Sequence, residues 1–98
     1  MVNAIVLLSV KRDEIVATAK RIAELDGVAE VYSVAGQCDL VAMLRTRDHD
    51  ALAELVTNRL LIEPGIVRSE TLFAFRVYSR YDLEHMFSIG IEETAARG

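Results

Sequence analysis

The sequence predicts an α+β domain in which a four-stranded antiparallel sheet carries two helices on one face. Three observations lead there. Apolar runs of strand length alternate with stretches whose apolar residues recur at helical spacing, in the order β-α-β-β-α-β. The second and third runs are separated by Gly36-Gln37, a connection short enough to demand an antiparallel hairpin. The two halves also echo each other weakly, because Asp26-Gly27-Val28 and Pro64-Gly65-Ile66 each lead out of a helix into a strand. A split β-α-β chain of this order is the ferredoxin-like fold.

The first strand is Val2–Val10, broken by Lys11-Arg12-Asp13. From Glu14 to Leu25 the period changes. Ile15, Val16, Ala19, Ile22, Ala23 and Leu25 fall near one helix face, with Asp13 as N-cap and Gly27 available for the left-handed closing position. Val28–Ala35 and Cys38–Thr46 are the second and third strands. Asp48 then caps a second helix whose stripe is Ala51, Leu52, Leu55, Val56 and Leu60, and Glu63-Pro64-Gly65 ends it. Ile66–Arg80 reads as a long last strand. Residues 1–80 form the domain, and 81–98 a C-terminal extension whose Leu83, Met86 and Phe87 either seal a neighbour's surface or cap the fold.

One feature conflicts with a lone domain of this kind. Helices on one side leave the other sheet face open, and an open face should alternate polar with apolar residues. The first strand instead sets Val2, Ala4, Val6, Leu8 and Val10 against Ile5 and Leu7. The third sets Leu40, Ala42 and Leu44 against Val41 and Met43, and the last sets Leu72 and Ala74 against Phe73, Phe75 and Val77. An apolar face of that extent calls for cover. Either the same face of a second copy supplies it, giving a homodimer, or the C-terminal segment folds back over it.

The bulk composition agrees. A chain of 98 residues makes one domain, and its 52% hydrophobic content is high for so small a core. A net charge of −4, with Lys and Arg scattered among acids, argues against direct nucleic-acid binding. The lone Cys38 forbids an internal disulfide. Met1–Val10 has no basic leader pattern and is too short to cross a bilayer, so a soluble cytoplasmic protein with no membrane partner is expected.

Catalytic chemistry is sparse. His49 lies between Asp48 and Asp50, but neighbours on a helix point in different directions, whereas helical metal ligands favour i, i+4. His85 falls in the tail, and Cys38 has no base beside it. No phosphate-binding loop or cysteine pair is present, and no cofactor or metal is expected. The segment Gly36-Gln37-Cys38-Asp39 stands apart. It either holds a small zwitterion, with turn amides on the carboxylate and Asp39 on the ammonium, or is a plain hairpin turn in which Asp39 accepts local backbone bonds.

This segment, Leu40 after it, and Pro64-Gly65-Ile66-Val67-Arg68-Ser69-Glu70-Thr71 opening the last strand together resemble the effector-binding domain of the Lrp/AsnC transcriptional regulators. The resemblance covers roughly residues 1–80. Cys38 departs from it, standing where the family usually has an aromatic residue. The chain also begins at the sheet, without the family's helix-turn-helix, and so is similar to stand-alone versions of the domain.

The resemblance implies face-to-face dimers that assemble further, commonly into octameric rings. It also implies an amino-acid effector bound between dimers, no enzymatic activity, and co-assembly with a full-length regulator. Carried over by position, Ser33, Gly36, Gln37 and Asp39 line the pocket from the hairpin. Leu72, Phe73 and Ala74 join them from a neighbouring subunit. Two rivals stand beside this reading. One is a small dimeric α+β barrel enzyme, a cofactor-free monooxygenase or haem-binding type, for which Asn3 is the strand-borne candidate. The other is a purely structural assembly module.

Overall fold

The computed structural model describes residues 1–78 and Arg80. The expectations placed on the 81–98 extension, including Leu83, His85, Met86 and Phe87, lie outside the described residues.

Strand β1 takes Val2–Val10, β2 Val28–Ser33, β3 Leu40–Thr46 and β4 Ile66–Ala74. They form one antiparallel sheet in the order β2-β3-β1-β4. Helix α1 spans Ile15–Ala23 after a 3-10 turn at Arg12–Glu14. Helix α2 spans His49–Glu54 and continues as π-helix through Leu55–Leu60, where the Leu61 N–H reaches back five residues to the Val56 carbonyl at 2.9 Å. The order and topology are those the sequence predicts.

Alternation along β1 divides the sheet into two faces. Ala4, Val6, Leu8 and Val10 are buried with Leu40, Ala42 and Leu44 of β3 and with Ile22, Leu52, Leu55 and Leu60 from the helices. The widened π turn lets Leu52, Leu55 and Leu60 all reach this core. Ile5 and Leu7 lie on the opposite face, paired with Met43 and Val41 of β3 and with Leu72 and Glu70 of β4. No helix among the described residues covers that face, and its apolar centre is half-buried by neighbouring strands alone. The two-sided apolar pattern is therefore a real property of the sheet.

Several boundaries differ from expectation. The last strand stops at Ala74, six residues short of Arg80. Ala74 pairs with Asn3 in the last rung of the β1–β4 ladder, and β4, an edge strand, has no other strand beside it to bond. Phe75 is accordingly fully exposed. The hairpin connection is residues 34–39 instead of Gly36-Gln37 alone. One further ladder bond, Val34 N–H to the Asp39 carbonyl at 3.0 Å, closes it.

Asp13 does not cap α1: Glu14 takes the cap position, and no side chain bonds the helix start there. On α1, Val16 and Ala23 point to solvent and Thr18 takes the buried place beside Ile22. Asp48 does cap α2, its Oδ1 accepting the Ala51 N–H at 2.8 Å. Gly65 permits a close approach: a Cβ there would stand 2.5 Å from the Oγ1 of fully buried Thr18.

Candidate functional site

The loop between β2 and β3 is drawn down over the end of β1. Asp39 directs this. Its N–H donates to the Leu8 carbonyl at 2.8 Å and its Oδ2 accepts the Val10 N–H at 2.8 Å. The second contact falls where β1 breaks register with β4, between Ser9 and Val10, so the carboxylate satisfies a donor at an irregular point of the ladder. Gly36, at φ +152°, shapes the exposed tip of the loop.

Folding the loop this way opens a groove on the uncovered face of the sheet. Leu7, Ser9, Gln37, Cys38, Arg68, Ser69 and Glu70 line it, and its volume is about 340 Å³. The β1–β4 register sets Arg68 opposite Ser9 and Glu70 opposite Leu7. The walls therefore offer one cation, one anion, hydroxyl and amide groups, and the apolar surface of Leu7 beside the Cys38 thiol. Cys38 is half-buried and free.

The seven residues expected to bind do not converge within one chain. Gln37 lines the groove, with Gly36 and Asp39 in the same loop. Ser33 pairs with Leu40, which places it on the helix-side register. Leu72 pairs with Ile5 on the uncovered face. Phe73 pairs with Ala4 and stands on the helix side, its ring 6.3 Å from that of His49. There it borders a second recess of about 470 Å³ between α2 and β4, shared with Leu52, Val56 and Thr71. Ala74 sits at the far end of the sheet, in a third cavity of about 210 Å³ beside Met43 and Arg45.

Sequence reasoning passed over Arg68, Glu70, Ser9 and Leu7. Two charges spaced i, i+2 on a strand otherwise rich in apolar residues were the available signal, because that spacing puts both on one face. Asn3, the candidate for the enzyme reading, is committed elsewhere: its Oδ1 accepts from Arg45 Nε at 3.0 Å. On the same face as the groove, the Tyr32 hydroxyl donates to Glu30 Oε2 at 2.5 Å. That bond to a carboxylate holds the Tyr32 phenol above its ordinary pKa. Among the described residues no helix is long and apolar enough to cross a membrane, and no group of three metal-ligating side chains comes together.

Comparison with known proteins places this geometry. The model of the Lrp/AsnC ligand binding domain matches residues 3–83. The HTH-type transcriptional regulator LrpA1 of Halobacterium salinarum is 30% identical over 70 residues, covering 71% of this chain and 49% of the regulator. The chain thus spans about half the length of that relative. The crystal structure of TTHA0845 from Thermus thermophilus superposes with a TM-score of 0.76 at 46% identity, over 82% of this chain and all of that one.

A transcriptional regulator of Neisseria meningitidis, NMB0573, in complex with L-Met shares the fold at a TM-score of 0.72 and 17% identity, over 81% of this chain and 53% of that one. With the family model matched across residues 3–83 and the fold shared with a 46% identical structure, the chain belongs to the Lrp/AsnC ligand-binding-domain family.

Proposed function

We propose that this chain is an effector-binding and oligomerisation module that takes an amino acid or a related small metabolite between subunits and leaves it chemically unchanged. The observation that carries the reading is the scatter of the expected site residues. Gln37 lies at one end of the sheet, Ala74 at the other and Phe73 on the helix side, so a pocket using all of them draws on more than one copy. The uncovered face supports the same conclusion. Ile5, Leu7, Val41 and Met43 form its apolar centre, and Arg45 and Arg68 lie toward its two ends. Depletion of charge at the centre with polar groups at the rim is the anatomy of a protein interface.

In this reading the sheets of two copies pack face to face and further association closes the grooves, with rings such as an octamer as one outcome. The groove's 340 Å³ suits a small metabolite, near the lower end of the roughly 300–1,000 Å³ usual for ligand sites. The L-Met complex of the Neisseria relative supports an amino-acid effector. The relatives that regulate transcription support a role there, exercised through co-assembly with a full-length regulator.

Titration with the twenty standard amino acids, followed by melting temperature, tests this. A ligand at about 100 times its dissociation constant adds about 2.7 kcal/mol, a rise on the order of 10–20 °C for a domain this small. No shift with any amino acid counts against an amino-acid effector.

A further inference from the structure

We infer that Arg68 and Glu70 are the charge-reading pair of the groove, Arg68 taking the effector's α-carboxylate and Glu70 its α-ammonium. This selects free α-amino acids over their neutral or singly charged relatives. The inference rests on the groove being an effector half-site.

The geometry comes from the strand itself. Arg68 and Glu70 lie two residues apart on β4, both on the uncovered face, opposite Ser9 and Leu7. Two residues along a strand span about 6.6–6.8 Å. That places a guanidinium and a carboxylate on either side of a single α-carbon and its two charged substituents. A guanidinium suits a carboxylate because its paired N–H groups match the two oxygens.

Both groups are available for this. Among the described residues neither Arg68 nor Glu70 enters an ion pair. Other arginines are engaged within the chain, Arg21 with Glu63 at 2.7 Å and Arg45 with Asn3 at 3.0 Å. Asp39, which the sequence offered for the ammonium, is held differently. Its Oδ2 is taken by the Val10 N–H, so it serves the loop's position while Glu70 faces the groove. Leu7 and Cys38 then remain to meet the effector's side chain.

Arg68 and Glu70 are both exposed in the single chain. Solvent screens exposed charges strongly, and pairing them with a ligand there yields little affinity. Covering the groove with a second copy removes that screening. Recognition of the zwitterion and assembly are therefore coupled, and each strengthens the other.

The test uses the full chain and the variants Arg68→Gln and Glu70→Gln, each first checked for unchanged molar mass and ligand-free melting temperature. The twenty L-amino acids are titrated against the unaltered protein. The tightest is then repeated as its α-carboxamide and as its des-amino acid. Glu70→Gln is expected to weaken the amino acid at least tenfold and to erase its advantage over the des-amino acid. Arg68→Gln is expected to do the same relative to the carboxamide. A purely structural role would lower all three affinities alike and leave those preferences in place, which overturns the inference. If either variant alters mass or ligand-free melting, the decision falls to the unaltered protein. There, equal affinity for the amino acid and its two analogues overturns the charge pair. Binding within twofold of the original in both variants overturns the inference and leaves the effector-binding reading standing. Failure of the unaltered protein to bind any of the twenty overturns both.

Discussion

Asp39 and Val10, 29 residues apart in sequence, are joined by a bond in which the Val10 N–H donates to the Asp39 carboxylate at 2.8 Å. Val10 is largely buried and the bond part-buried, so removing the acceptor leaves a donor without a protein partner and with restricted access to water. Such a loss costs about 1–3 kcal/mol. Asp39→Ala is expected to lower unfolding free energy by about that much in urea titration. Asp39→Asn keeps a carbonyl acceptor and is expected to lose less than half as much. Equal losses would place the effect in the charge instead of the bond.

The two glycines Gly36 and Gly65 separate backbone strain from crowding. At Gly36 an added Cβ meets nothing within 4 Å, so Gly36→Ala bears only the unfavourable φ in an exposed loop, about 1 kcal/mol. At buried Gly65 the same carbon would lie 2.5 Å from Thr18 Oγ1 and 3.3 Å from Glu14 Cβ. Gly65 also accepts the Lys11 N–H, so its backbone is held in place. Gly65→Ala is expected to destabilise by about 3 kcal/mol, near the upper end for overpacking. Denaturant midpoints of the two variants decide the order.

The architecture was legible because periodicity reports which side chains share a face, and that is what folding buries. The doubled apolar pattern of Ile5, Leu7, Val41 and Met43 pointed directly to an uncovered face. The ends of elements were less legible, since they depend on neighbours distant in sequence. Nothing near Phe75 says that pairing with β1 ends at Ala74, and nothing near Asp39 says that its carboxylate will reach Val10. The site suffered most. Arg68 and Glu70 meet Gln37 and Cys38 only through the β1–β4 register. Thr18 lies four residues before Ile22 on the buried face of α1, and its polar side chain hid it from a reading based on apolar periodicity.

Tyr32 and Glu30 give a prediction in pH. The Tyr32 phenol is held above its ordinary value of 10.0, chiefly by donating its proton to Glu30, with burial and the nearby negative charge adding to the effect. A group raised in the folded state favours folding at every pH below its unfolded value, and that favour is lost as pH rises through the folded value. In Glu30→Ala both the acceptor and its negative charge are gone. The Tyr32 transition, isolated as the difference in ultraviolet titration from Tyr32→Phe, is expected to fall back toward 10.0. An unchanged midpoint would remove Glu30 as the cause.

Assembly through the uncovered face makes the last prediction, and a pair of surface lysines tests it. Ile5 sits at the centre of that face, between Met43 and Leu72, and its helix-side neighbours Ala4 and Val6 form the core independently of it. Placing a charge there leaves the helix-side core untouched. It would, however, strand an ammonium in any dry interface formed between two such faces, where an unpaired charge is strongly unfavourable. Ile5→Lys is therefore expected to reduce the solution molar mass to that of the single chain while preserving the circular dichroism of the fold. Val16→Lys, on the exposed side of α1 at 66% exposure, is expected to leave the mass unaltered. Because a groove left open keeps its charges screened by solvent, Ile5→Lys is also expected to weaken any amino acid bound by the unaltered protein, although Ile5 does not line the groove. Loss of assembly with binding retained would separate the two functions and assign the groove to a single chain.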